Sequence, residues 1–466
     1  MGGADGQLPA CAARRARRQP VDADDPDLSP ERPSVIPPAA PPAQAPAAGG
    51  RRFVTPGYAT GFAVVVSLFF LWALANNLND ILIRQFQKAL DLNRAQAGFI
   101  QFVFYIGYFV MALPAGMVLR RFGYRAGILA GLAFYALGAL LFYPAAELRE
   151  YAAFLGALFV LASGAAFLET AANPYIVAFG DPARAEQRLN LAQAFNGLGG
   201  AIAPAIGAKF IFSGVEHDRA ALDAMAPAAL DAYRAAEAEM VQFPYLVLAG
   251  VVVLVALAIA VIRLPAIPRD TGGNALADLR SVIGVRLLRR AVVAQFFYVG
   301  AQVGVWSFFV DFVKTLSPAT PERDAAYLLS ISLALFLIGR LAGALLMHRI
   351  AATRLLTGFA LANIVLMLVA ALGSGMVAVG ALLLTGLFMS IMFPTIFSLG
   401  VRDLGQRAPL GAPFIVMAVI GGAVFPPAMG WLSHGPVSIQ TAMLVPALSF
   451  AVVLAFALAA ASGDQR

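Results

Sequence analysis

Apolar stretches of about twenty residues recur about a dozen times along this chain, and that recurrence leaves few folds open. A helix of that length crosses a bilayer core of about 30 Å. In lipid every backbone N–H and C=O must bond within the protein, so such runs form helices or closed barrels, and twenty apolar residues suit only the helix. The spans are predicted at 57–82, 97–119, 124–145, 151–179, 188–213 and 243–264, then at 290–314, 325–348, 354–373, 376–401, 410–432 and 440–462. The polar stretch PAIPRDTGGNALADLRSVIGVRLLRR divides them six and six. The fold class read from this pattern is an all-α membrane protein of twelve transmembrane helices in two six-helix halves. The halves would occupy 56–264 and 290–466, joined by a cytoplasmic linker at 265–289 and preceded by a disordered cytoplasmic tail at 1–55.

Composition agrees. Of 466 residues, 60% are hydrophobic and 13% are charged, whereas soluble domains carry about 25% charged residues. The tail is the exception, with runs such as SPERPSVIPPAAPPAQAPAAGG that cannot bury enough apolar surface to offset chain entropy. Its arginine pairs in AARRARRQP are followed by no apolar segment, so they do not make an export signal. The single cysteine, Cys11, excludes a disulfide framework. The net charge of +7 comes largely from arginines between apolar runs, and does not indicate nucleic-acid binding. Arginines are denser in the turns that would share a side with both termini, which predicts cytoplasmic termini. The Ala-rich segment VEHDRAALDAMAPAALDAYRAAEAEM reads as a helix on the outer surface.

The two halves repeat. ANPYIVAFG, ending at Gly180, matches MFPTIFSLG, ending at Gly400, and GGAIAPAIG matches GGAVFPPAMG about twenty residues later in each half. A nearly constant offset fits parallel structural repeats with a binding site where the halves meet.

Two carboxylates lie inside this apolar chain, Asp80 in the first span and Glu169 in the fourth. A charge at the bilayer centre costs about 2.5–3.5 kcal/mol on insertion scales, so such residues face a cavity or a partner. The first span places Trp72, Asn76 and Asp80 four residues apart on one face, with Asn77 adjoining. Asn and Asp also cap helix ends, and NNLND read alone fits that role. The fourth span sets Glu169 and Asn173 four residues apart, followed by Pro174, too deep for a cap. A Glu paired with a base for packing is the plainer alternative there. Gln193 and Asn196 share a face of the fifth span beside the glycine run Gly197–Gly200. Their amides offer donors and acceptors to a hydroxyl-rich ligand, although helix-to-helix hydrogen bonding would use them equally. In the seventh span Gln295, Tyr298, Gln302 and Trp306 recur at three- and four-residue spacing. Aromatic faces pack against sugar rings while amides bond their hydroxyls; an aromatic packing stripe is the alternative.

The repeat is unequal. Met389 stands where the first half has Glu169, and apolar residues stand where it has Gln193 and Asn196. Ionisable chemistry is therefore expected only in the first half, with the second half an apolar wall. GRLAGALLMHRI places Arg340 and Arg349 toward the inner end of the eighth span, and AGMVLRRFGYRAG is its first-half counterpart. The three histidines are far apart, which argues against a metal site, and no phosphate-binding loop appears. No cofactor is expected.

These residues also resemble a known family. FFLWALANNLNDILI, QFQKALDLNRAQAGFIQFVFYIGYF, LETAANPYIVAFG, RLNLAQAFN, AQFFYVGAQ and PTIFSLGVRDLGQ are similar to the fucose–proton symporters of the major facilitator superfamily. NNLND together with LETAANP is closer to them than to the glucose/galactose permeases. The resemblance covers about 60–460 and omits the tail. It implies the major facilitator fold, Asp80 and Glu169 as proton-coupling acids, and Gln193 and Asn196 in a central cavity. Arg120 stands where the superfamily's loop motif usually has Asp.

The expected function is proton-coupled import of L-fucose or a similar monosaccharide by alternating access, the proton being the coupling ion. Another hexose, a polyol or other polar solute, or a proton-independent uniporter, is the alternative. A sugar sensor would carry a signalling domain, and a membrane enzyme would carry a catalytic pair; neither is visible. The expected partners are the sugar and membrane lipids, with no nucleic acid, in a monomer in the bacterial inner membrane.

Overall fold

The computed structural model describes residues 52–90, 94–210, 222, 224–265, 275–433 and 438–463. At 79–89, 94–95, 97–98, 204–205, 207–210, 275–277, 322 and 463 it describes the backbone path alone. All of these lie in one unit, Gly50–Arg466. Of the tail expected over 1–55, residues 1–51 lie outside the described residues. Its last residues are not a free tail: the Thr55 N–H donates to the Phe179 oxygen at 2.9 Å, and Arg188 Nη1 donates to the Phe53 oxygen at 3.1 Å.

Among the described residues nine helical stretches are long and apolar enough to cross a membrane, or ten with the bent pair Arg286–Ser307 and Phe309–Leu316, which meet at 52°. Gly375–Ser433 counts as one stretch there, yet its 59 residues would reach about 90 Å as a helix, three bilayer cores. The chain turns back within it at Arg402–Arg407, where Gly405 adopts φ 53°, so it makes two crossings. Ala185–Phe210 adds another rod, its first turn carrying Glu186 and Arg188. Counted so, the described residues form twelve rods.

The first six are Ala59–Leu90, Arg94–Phe122, Tyr124–Leu148, Tyr151–Ala178, Ala185–Phe210 and Gln242–Val261. The seventh is the bent pair, the eighth Glu322–Leu346 and the ninth Ala352–Leu372. The tenth, eleventh and twelfth are broken: Gly375–Met389 with Met392–Val401, Ala408–Met417 with Gly421–Ser433, and Ile439–Ala442 with Leu444–Gly463. They are called first to twelfth helix below.

The predicted spans match these rods to within a few residues, except that the first continues to Leu90. The outer-surface segment contains the helix Pro227–Glu239, and the linker contains a short helix, Ala275–Ile283, where only a polar connection was expected. Linker residue Val282 is fully buried, and Arg120 at the end of the second helix pairs with Asp278 at 2.6 Å.

Helix pairing repeats with the sequence. The third helix packs on the fourth, the first on the fifth, the second on the fourth and the third on the sixth. Six helices later the ninth packs on the tenth, the seventh on the eleventh, the eighth on the tenth and the ninth on the twelfth. The halves meet chiefly through second on eleventh and fifth on eighth, which are each other's counterparts. Small residues permit the closest crossing, as expected without a hydrophobic drive between helices in lipid. A Cβ added at Gly164 would lie 2.5 Å from the Tyr135 nitrogen and 2.8 Å from the Gly131 oxygen. The third helix is thereby seated on the fourth at the level of the site.

Candidate functional site

A cavity of about 530 Å³ lies between the halves. Its floor is the layer of Glu169, Gln193, Arg340 and Phe393; its walls rise to Gln101, Ser307 and Leu329, near the ends of their helices away from the arginine-rich turns. Below the floor the halves touch. Asn190 Nδ2 donates to Thr395 Oγ1 at 3.3 Å, and the second helix fits against the eleventh at Gly116, where a Cβ would lie 2.7 Å from the Pro409 oxygen.

Of the residues singled out in the sequence, Trp72, Asn76, Asn77, Glu169, Gln193, Asn196, Gln302 and Trp306 line this cavity. Three do not. Asn173 is fully buried behind it and accepts from Gln193 Nε2 at 3.2 Å. Tyr298 is fully buried and donates to the Met389 oxygen at 3.1 Å. Gln295 is fully buried, and both its amide atoms lack a partner among the described residues. Of the four residues expected to form one ligand face on the seventh helix, Gln302 and Trp306 line the cavity, whereas Gln295 and Tyr298 are packed in the protein interior. Asp80 belongs to the first helix, and its side chain lies outside the described residues.

Glu169 is 7% exposed. Tyr108 and Arg340 are the groups that act on its charge, and among the described residues it forms no ion pair. A relay of amide and hydroxyl groups leads away from it. Asn76 Nδ2 donates to the Tyr108 hydroxyl at 3.1 Å. The Tyr135 hydroxyl lies 3.3 Å from Asn76 Oδ1 and 3.2 Å from the Trp72 oxygen. With its oxygen accepting from Asn76, the Tyr108 hydroxyl keeps its proton for another acceptor.

Arg340 corrects the sequence reading. It does not mark an inner helix end; it is 4% exposed and lines the cavity floor. The second half is therefore not merely an apolar wall, because it brings a guanidinium to the site. Nε donates to the Ser390 oxygen at 3.1 Å, and Nη1 reaches the Gln193 oxygen, Gln193 Oε1 at 3.4 Å and Asn196 Oδ1 at 3.3 Å. The guanidinium also stacks 4.4 Å from the centre of the Phe336 ring, whose edge meets Trp306 at 5.0 Å. The carbonyl of Ser390 is available because Pro394, four residues on, has no N–H to bond it. The tenth helix breaks at that point, between Met389 and Met392. The repeat thus replaces the first half's acid with a backbone acceptor for a base.

Sequence reasoning also missed Gln101, Phe104, Tyr105 and Tyr108 of the second helix. The sequence did carry a signal: Gln101, Tyr105 and Tyr108 recur at four- and three-residue spacing in QFVFYIGY. It was hidden because nearly every neighbour is aromatic or aliphatic. Opposite, Val299, Val303, Leu333 and Val419 give one apolar side.

Residues 58–412 match the model of the Major Facilitator Superfamily. The L-fucose-proton symporter of Escherichia coli (strain K12) is 45% identical over 406 residues, 86% of this chain and 93% of that one. This chain is a major facilitator of the fucose–proton symporter family. The glucose/galactose transporter of Brucella abortus biovar 1 is 39% identical over 85% of this chain and 94% of its own length. Among solved structures, FucP, described as a major facilitator transporter in the outward conformation, superposes with a TM-score of 0.81 at 44% identity over 86% of this chain and 99% of that one. A major facilitator is a multi-pass membrane transporter and not an enzyme, and its binding cavity between two helical halves corresponds to the one described here.

Proposed function

We propose that this protein imports L-fucose or a closely similar monosaccharide together with a proton across the bacterial inner membrane, with both termini cytoplasmic. One observation carries the reading: an acid without an ion pair among the described residues, Glu169, sits on the floor of a cavity whose other polar groups are amides, phenols, two indoles, one serine hydroxyl and one guanidinium. Such a lining suits an uncharged, hydroxyl-rich ligand. Trp306 Nε1 is buried and has no acceptor among the described residues, so it offers a donor to a sugar hydroxyl. Trp72 and Phe104 present rings, and the amides of Asn77 and Gln302 line the wall.

Proton coupling follows from the cost of enclosing charge. An ionised carboxylate sealed in a low-dielectric site without an ion pair is expensive, and taking up a proton removes that cost. The loaded carrier with Glu169 protonated can close over its sugar; the ionised carrier resists closure. Asp80, eight residues or about two helical turns beyond Trp72 in the sequence, serves as the outer acid of the same pathway. The cavity opens away from the arginine-rich turns, which face the cytoplasm by the positive-inside rule. The site is therefore loaded from outside. A hexose other than fucose is the second reading, favoured by the glucose/galactose transporter relative.

The test is sugar-driven proton uptake in proteoliposomes across a panel of monosaccharides. Fucose should alkalinise the medium most strongly. Asp80→Asn should abolish accumulation against a gradient while leaving exchange, and Glu169→Gln should make sugar binding independent of pH. Full accumulation by Asp80→Asn, or sugar uptake without proton movement in the unmodified protein, would remove the proton from the mechanism.

A further inference from the structure

A second cavity, of about 650 Å³, lies on the lipid-facing side between the start of the seventh helix and the end of the twelfth. Arg286, Arg289 and Arg290 line one part and Val293 continues the same helical face. Val452, Ala455, Phe456 and Ala459 of the twelfth helix line the other. The three arginines are exposed, and among the described residues none has a side-chain hydrogen bond or an ion pair. Arg286 and Arg289 occupy the first turn of their helix and Arg290 opens the second, the end where the helix dipole disfavours cations. Among the described residues no carboxylate lines the cavity. The topological role of arginines explains positive charge on this side. It does not explain why three converge over an apolar groove that the small side chains of Ala455 and Ala459 leave open on a neighbouring helix.

From this pairing of free cations and an apolar groove we infer that the cleft between the seventh and twelfth helices is a binding site for an anionic glycerophospholipid. The phosphate sits among the guanidinium groups, which bond phosphate oxygens in pairs, and one acyl chain lies along the groove of the twelfth helix. Basic pockets between membrane helices at the cytoplasmic interface have the chemistry for such headgroups. The occupant is a lipid rather than free phosphate because five of the eight lining residues are apolar and form a groove that a phosphate alone would leave empty. The site is separate from the central cavity, and its occupancy does not depend on which sugar is carried.

Native mass spectrometry of the purified full-length protein, titrated with dioleoylphosphatidylglycerol or dioleoylphosphatidylcholine, tests this. The unmodified protein should retain the anionic lipid at least about tenfold better than the zwitterionic one. R286Q/R289Q/R290Q should weaken retention of the anionic lipid about a hundredfold, from roughly 1 kcal/mol per basic residue near an anionic surface. A455L/A459L keeps the arginines and fills the groove, and it should lose retention too. Equal retention of the two lipids, or an unchanged triple variant, overturns the site. Displacement by millimolar inorganic phosphate, or indifference to groove filling, reduces it to a simple anion site and overturns the lipid assignment. Thermal unfolding checks that the variants fold; if the triple variant does not, R290Q alone should weaken retention about fivefold by the same arithmetic, and no change in it is equally decisive.

Discussion

Arg340 is the residue on which the two halves agree. One guanidinium joins the fifth helix, through Gln193 and Asn196, to the tenth, through Ser390. Its planar fork can hold these partners at once, which a lysine's single ammonium cannot. Hydrogen bonds to charged groups are worth about 1.5–3 kcal/mol each, and buried partners left unpaired add their own cost. Arg340→Lys should therefore destabilise the protein by about 2 kcal/mol, read as a lower thermal midpoint, and weaken sugar affinity about tenfold or more. A variant with unchanged midpoint and affinity would show that the observed bonds contribute nothing. Glu169 and Arg340 illustrate how unevenly residues announce themselves. A lone acid amid aliphatic residues is conspicuous. An arginine six residues from a helix end looks like an interface anchor, because sequence distance does not say which face of the helix it occupies.

At the level of helices, breaks and close crossings shape the site. Pro394 frees the Ser390 carbonyl, and the resulting interruption of the tenth helix is what lets a base from the eighth dock there. Pro174, at the matching repeat position, leaves the fourth helix continuous from Tyr151 to Ala178. The third helix carries Tyr135 to the Trp72 carbonyl and Asn76 only because Gly164 lets it approach. Gly164→Val would press a side chain into the Tyr135 backbone. Overpacking of a filled interior costs about 1–3 kcal/mol, so a lower thermal midpoint is expected. The displaced Tyr135 should also weaken sugar binding although position 164 lies outside the cavity. Normal binding by a normally stable Gly164→Val protein would mean that the crossing tolerates a wider spacing. Helix positions were legible from hydropathy to within a few residues. The breaks were not, since Pro and small residues occur in these helices both where the path bends and where it continues.

Across the whole molecule, the halves touch below the cavity and part above it. Asn190 and Thr395 mark that closed side. In a background lacking Cys11, Asn190→Cys with Thr395→Cys should oxidise to a bridge. The bridged protein should bind sugar at equilibrium yet exchange none across the membrane, with exchange restored by a reductant. Undiminished exchange by the bridged form would rule out rocking of the halves about the site.

Hydropathy, loop arginines and the internal repeat determined on their own that this chain crosses a membrane about twelve times in two related halves. They also singled out Glu169 and the amides near it, because unfavourable transfer of polar groups into lipid makes each one visible in one dimension. Only the folded arrangement decided which faces of the seventh helix meet the cavity, that Arg340 of the eighth completes its floor, and that Tyr108 stands beside the acid. Those outcomes depend on the rotation of each helix about its axis and on where its neighbours break, which are set by packing between segments hundreds of residues apart.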